Sequence, residues 1–267
     1  WKKVNELKVT HPTNYAGFLS ENNGITVGYG GEIHYSTDGG KTWPQSQNTS
    51  MCRFGMDWVT DSLVWSCGNA GNIRVSKDGG KTWSAVTDCP KPCRFISFID
   101  DKTGWVADGD WIVSTSDGGK TWNPINLPEG ARTINAVGAL SASEGFILDN
   151  GGLLYYTSDS GKTWSKSDLD LKGLNLIDGA IMDLPAACAQ IRFTDKNNGT
   201  VIFCGLTTGK DGLVWVLNTS DAGKTWSNKT LNVGKENSSA TVFLSHDKKY
   251  ITLYNSVNTI SVYKDEN

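Results

Sequence analysis

The sequence predicts an all-β, six-bladed β-propeller, and three observations predict it. An eight-residue pattern, Ser/Thr-x-Asp-x-Gly-Lys-Thr-Trp, occurs five times, at Ser36–Trp43, Ser76–Trp83, Thr115–Trp122, Thr157–Trp164 and Thr219–Trp226. The pattern aspartates Asp38, Asp78, Asp117, Asp159 and Asp221 are spaced by 40, 39, 42 and 62 residues. A period near 40 with a turn signal in each copy is that of a four-stranded blade. Finally, the two chain ends read as complementary parts of a sixth copy.

Each position of the pattern has a structural task. Asp-Gly-Gly supplies the positive φ that a tight turn between twisted strands requires. The carboxylate and the Ser/Thr hydroxyl two residues earlier can bond the turn's own amides and lock it. The Trp opens the returning strand and offers a large ring for packing. The five aspartates are therefore expected to be structural.

Aligned on these turns, the rest of each repeat shows the same strand grammar. First strands are predicted at residues 15–20, 53–59, 94–99, 132–140 and 191–194, and second strands at 25–29, 63–67, 104–107, 145–148 and 200–204. Third strands run into the pattern, and fourth strands start at its Trp. Glycines between second and third strands mark the turns. After the fifth copy, residues 241–246, 250–254 and 259–263 repeat the three-strand order and put Asp265 at the aspartate position. Trp1-Lys-Lys-Val4 reads like the opening of a fourth strand, as in Trp83-Ser-Ala-Val86. The N-terminal strand is thus expected to complete the C-terminal blade and remove two open sheet edges. The long fourth interval holds about twenty extra residues, 169–189, a loop long enough to be functional.

The pattern residues resemble the Asp-box (BNR) repeat, found in sialidases, sortilin-type receptors and Ycf48-like photosystem II assembly propellers. The Asp-Gly-Gly-Lys-Thr-Trp wording is most similar to the Ycf48-like group. The resemblance implies that the boxes are fold signatures on the blade periphery and that a site, if present, lies near the axis.

At 267 residues the chain is long enough for one large domain spanning residues 1–267. A net charge of −3 offers no overall basic field for nucleic acid, and no apolar run reaches the length of a membrane span. Trp1 at the start suggests a trimmed N-terminus. Six cysteines are read in the repeat frame as Cys52–Cys67, Cys89–Cys93 and Cys188–Cys204 disulfides, which points to secretion or another oxidising compartment such as a periplasm or lumen. Reduced structural cysteines are the alternative. No spacing suits a metal, and no cofactor motif is present. Sequons at Asn48, Asn198, Asn218, Asn228 and Asn237 permit glycosylation.

Four of the five arginines, Arg53, Arg94, Arg132 and Arg192, fall near the start of first strands, while lysines number twenty. First strands are innermost in a propeller, so these guanidiniums are expected at an axial mouth suited to carboxylate or phosphate. Local pairing with Asp57, Asp100 or Asp195 is the competing structural reading. The non-box tryptophans sit mostly where packing between blades is expected, and among them Trp58 and Trp111 are the candidates for a sugar-stacking platform. The family resemblance implies two roles for the arginines: holding a sialate carboxylate, or contacting protein partners. A sialidase-like glycoside hydrolase would also need a Tyr–Glu pair, for which Tyr254 with Glu144 or Glu236 are the candidates, and the chain lacks an Arg-Ile-Pro motif. The reading is a recognition propeller, expected as a monomer, that binds an anionic glycan or acidic protein surface. The alternatives are a sialidase-like enzyme and a Ycf48-like assembly scaffold.

Overall fold

The computed structural model describes residues 1–9, 13–28, 30–48, 53–169, 189–206, 212–234, 240–255 and 258–266, and the chain is a six-bladed β-propeller. It divides into two compact units, Trp1–Arg94 with Ala240–Asn267, and Phe95–Ser239. Each unit holds three antiparallel four-stranded sheets.

In the first unit one sheet takes β2 (Tyr15–Phe18), β3 (Gly24–Val27), β4 (Glu32–Ser36) and β5 (Gln45–Asn48) in order. A second takes β6 (Arg53–Trp58), β7 (Val64–Gly68), β8 (Ile73–Ser76) and β9 (Ser84–Ala85). The third runs β1-β24-β23-β22, joining β1 (Lys2–Lys8) to β24 (Thr259–Lys264), β23 (Tyr250–Tyr254) and β22 (Thr241–Leu244). The N-terminal strand thus completes the C-terminal blade, with Lys2 opposite Lys264 and Lys8 opposite Thr259. Asp265 follows this strand at the box-aspartate position, and its amide donates to the Lys249 carbonyl at 2.9 Å.

The second unit holds β10 (Phe95–Phe98), β11 (Gly104–Asp108), β12 (Trp111–Thr115) and β13 (Asn123–Ile125) as one sheet. Its second sheet is β14 (Ile134–Ala139), β15 (Gly145–Asp149), β16 (Leu153–Thr157) and β17 (Ser165–Asp168). Its third is β18 (Ala189–Phe193), β19 (Gly199–Leu206), β20 (Gly212–Thr219) and β21 (Ser227–Asn232). Almost all of the 169–189 insertion lies outside the described residues. Among the described residues no helix is long and apolar enough to cross a membrane.

One local rule fixes the register of the first hairpins. Phe18 pairs with Gly24, Phe98 with Gly104 and Phe193 with Gly199. A β-carbon on these glycines would sit 2.3–2.7 Å from the opposing phenyl ring. The glycine therefore makes room for the ring, and a one-residue slip would turn that face outward. Between blades, each unit packs buried aliphatic and aromatic side chains. Trp58, Ile25, Val27 and Phe243 pack together in the first unit, and Trp105, Ile134, Val137 and Ile147 in the second.

Candidate functional site

The five boxes share one hydrogen-bond set. In the first, the Ser36 hydroxyl donates to Asp38 Oδ1 at 2.9 Å and accepts the Gly40 amide at 2.7 Å. Asp38 in turn accepts the Thr42 amide at 3.0 Å and the Thr42 hydroxyl at 2.6 Å. The other four repeat these bonds around Asp78, Asp117, Asp159 and Asp221. Each box is also tied to the first hairpin of its own blade: the amides of Gly39, Gly79, Gly118, Ser160 and Ala222 donate to the carbonyls of Asn22, Ser62, Lys102, Ser143 and Asn197. These five residues all have φ between 61° and 77°, so even Ser160 and Ala222 are held in the left-handed region. The bonds stabilise the ionised carboxylates. The Thr42, Thr121 and Thr163 hydroxyls, then their amides, hold Asp38, Asp117 and Asp159 at about 2. The Thr225 amide does the same first for Asp221, also at about 2. Asp78 is lowered by Thr82 against an opposing burial penalty. Both oxygens of every box carboxylate are therefore occupied by the turn itself.

The arginines differ from one another in register. Counted from the residue that closes each first hairpin, Arg94 lies four before Phe98 and Arg132 seven before Ala139, while Arg192 lies one before Phe193. Arg94 and Arg132 are exposed just ahead of β10 and β14. Arg53 opens β6 opposite Gly68, its side chain being outside the described set. Arg192 pairs with Thr200 at the far end of β18 and is half-buried. Counting from the strand's start hides this difference. Asp100 accepts the amides of Lys102 and Thr103, and Asp195 those of Asn197 and Asn198, each within its own hairpin.

The segment around Arg132 is anchored by a wholly buried carboxylate. Asp149 ends β15 and accepts the Arg132 amide (3.2 Å) and the Tyr155 hydroxyl (3.3 Å) on one oxygen. Its other oxygen takes the Gly151 and Leu153 amides at 2.9 and 3.0 Å. Burial and then Asp149's charge push the Tyr155 phenol up, while Arg132 opposes. Four donors on one carboxylate fix where the chain leads into β14. The Asp149-Asn-Gly-Gly turn was the available sequence signal. Nearby, Leu127, Pro128, Glu129, Tyr155, Trp164 and Lys166 line a groove of about 580 Å³ that sequence reasoning did not anticipate.

Several expectations need correction. Trp58 is 1% exposed and packs near Phe243, with ring centroids 6.3 Å apart, so it is core and offers no ligand platform. Trp111, opening β12, is half-exposed. Tyr254 donates to Asn258 Oδ1 at 2.8 Å, whereas Glu144 accepts from Tyr156 at 2.5 Å. Burial, then Glu144, pushes Tyr156 up to about 12, the opposite of an activated nucleophile. Glu236 lies outside the described residues. Among the described cysteines, Cys67, Cys89 and Cys93 are thiols outside any disulfide, and Cys204 is buried. Cys89 and Cys93 are brought together as expected, but their sulfurs are 3.6 Å apart, well beyond an S–S bond of about 2.05 Å. Cys52 and Cys188 lie outside the described residues, and Cys67 stands opposite Gly55 in the ladder. No group of three or more His, Cys, Asp or Glu suited to a metal occurs among the described residues.

Residues 87–174 match the family model described as photosynthesis system II assembly factor YCF48, and residues 34–43 and 74–85 match the BNR/Asp-box repeat. No curated protein sequence matches the chain. Among solved structures, one described as "YCF48 bound to D1 peptide" aligns over 98% of this chain and 97% of its own, with 15% identity and a TM-score of 0.58. The WD40 β-propeller domain of Doa1 aligns over 100% and 97%, with 10% identity and a TM-score of 0.59. Two propellers of different description fit equally well, so these alignments report the fold.

Proposed function

We propose that the chain is a non-catalytic recognition propeller that holds an extended, acidic segment of a partner protein in a non-cytoplasmic compartment. The observation that carries this reading is that Arg94 and Arg132, both exposed at the starts of successive first strands, fall inside the segment matching the YCF48 model. The structural relative described as bound to a D1 peptide supports a protein ligand. Arginine's planar fork suits side-chain carboxylates or a free C-terminus, and Asp149 fixes the backbone that presents Arg132. Arg53 is assigned the same role, and half-exposed Trp111 is a candidate for an apolar contact with the ligand. Arg192, at the other end of its strand, is assigned a structural role. The box aspartates take no part because their oxygens are filled.

A mixed array of 15-residue acidic peptides and sialylated glycans tests this. Acidic peptides are expected to bind the wild type, and Arg94→Ala and Arg132→Ala should each weaken them about tenfold, the loss of one charge-assisted pair. Glycan binding without peptide binding would overturn the partner class. Equal peptide binding by wild type and both variants would remove the arginines.

A further inference from the structure

The three buried thiols Cys67, Cys89 and Cys93 stand apart from the arginines and have no part in the reading above. All three lie in the first unit, at most 3% exposed. Cys89 Sγ lies 3.6 Å from Cys93 Sγ and donates to the Lys91 carbonyl at 3.1 Å, while Cys93 Sγ lies 3.5 Å from the Gly68 carbonyl oxygen and also interacts with Cys67. The five-residue loop Cys89-Pro-Lys-Pro-Cys93 has no regular structure, and its three middle residues are exposed. Two amides seat it on the turn after β7: Cys89 on the Gly71 carbonyl at 2.9 Å and Cys93 on the Gly68 carbonyl at 3.2 Å. Gly71, at φ +74°, is needed for that seat, since a β-carbon there would lie 2.0 Å from the Cys89 carbonyl oxygen. On the other side Gly55 leaves room for the Cys67 sulfur, which a β-carbon would approach to 2.9 Å.

We infer that this cluster is a thiol–disulfide exchange site, in which Cys89 is the attacking sulfur, Cys93 the resolving sulfur and Cys67 the positioning thiol. The co-reactant is a small-molecule disulfide or the active-site disulfide of a dithiol oxidase. Cys89 loses its proton and attacks one sulfur of that disulfide. The S–S bond breaks, and the first leaving thiolate takes up a proton. Cys93 then loses its proton and attacks the Cys89 sulfur of the mixed disulfide, expelling the second thiolate. One Cys89–Cys93 bond forms, the external disulfide is reduced to two thiols, and the two protein protons end on them. The exposed loop, hinged on two hydrogen bonds, gives the incoming disulfide its route to Cys89. The hydrogen bond to Cys93 and burial push the Cys89 thiol well above its ordinary value, and the bond to Cys67, with burial, does the same for Cys93. The exchange is therefore slow at neutral pH and accelerates as pH rises.

The test equilibrates the intact, reduced chain in buffers of graded oxidised-to-reduced glutathione, then blocks remaining thiols and maps linked peptides by mass spectrometry. The expected result is loss of two thiols and a Cys89–Cys93 link, with the rate rising between pH 7 and 9. Cys93→Ser should trap glutathione on Cys89, and Cys67→Ser should still form the link. Two free thiols at Cys89 and Cys93 in oxidised glutathione would overturn the inference. So would a predominant link from Cys93 to Cys67, or stoichiometric zinc held by the wild-type cysteines. The wild-type map decides the matter even where a variant fails to fold.

Discussion

The box turns and the arginine-bearing strand starts are both read from repeat positions, yet they behave differently. Each box carries the same bonds at nearly the same distances, and even Ser160 and Ala222 are forced into the conformation glycine adopts elsewhere. The arginines drift by several residues relative to the hairpin that closes each first strand. A turn whose every donor and acceptor is consumed internally tolerates little variation. On the reading proposed above, the arginines are directed at an outside ligand, which need not follow the repeat of the blades. Uniformity marks scaffold; the arginines, which vary within the same frame, are the surface proposed for use.

The largest expected effect comes from breaking a box corner. Gly161 has φ +78°, and a β-carbon there would meet the Asn126 carbonyl oxygen at 2.2 Å. Gly161→Ala should therefore cost about 2–4 kcal/mol in urea unfolding, combining backbone strain with a clash that only backbone movement relieves. Gly130→Ala separates the two causes, because Gly130 shares the positive φ and has nothing within 4 Å; it should cost only about 1 kcal/mol. Equal losses would show that the corner is not packed as described.

Next in size is Thr157→Val. The buried Thr157 hydroxyl donates to Asp159 and accepts the Asp159 and Gly161 amides, so its removal should cost about 1–3 kcal/mol by the same measurement.

The pH dependence has a definite sign. Asp38, Asp117, Asp159 and Asp221 are lowered on folding from 3.8 to about 2. Their contribution is present above about pH 4 and is lost as pH falls toward 2. The urea midpoint should fall across that window, and less steeply in Asp117→Asn. An equally steep fall would show that the boxes do not set the acid limit.

The smallest stability effect belongs to the arginines. Arg132→Ala should shift unfolding by no more than about 0.5 kcal/mol, as expected of an exposed side chain.

Much of the architecture was legible because the box is a local device whose chemistry needs no distant partner. The box spacing gave the blade register, and the match between Trp1–Val4 and the post-box strands gave the two-ended sixth blade. There Tyr263, paired with Ile251, stands where the boxes have Ser or Thr, so that blade lacks the hydroxyl of the shared bond set. Trp58 was misread although its place was visible: it lies six residues before Val64, as Phe18, Phe98 and Phe193 lie six before their glycines. That shared apolar position signals burial. The arginine positions were blurred because strand starts vary by several residues while hairpin ends do not. The link between Cys67 and Cys93 was not legible, since it joins β7 to a loop of the following segment and depends on Gly55 and Gly71 being without side chains.

The central claim is that exposed first-strand arginines hold an acidic protein segment. Its most direct test is a titration of a fluorescein-labelled, glutamate-rich 12-residue peptide into wild type, Arg94→Ala/Arg132→Ala and Arg192→Ala. The account predicts saturable wild-type binding that weakens with salt, a loss of at least about tenfold in the double variant, and little change in Arg192→Ala. Absence of saturable binding, or equal affinity in wild type and the double variant, would contradict it.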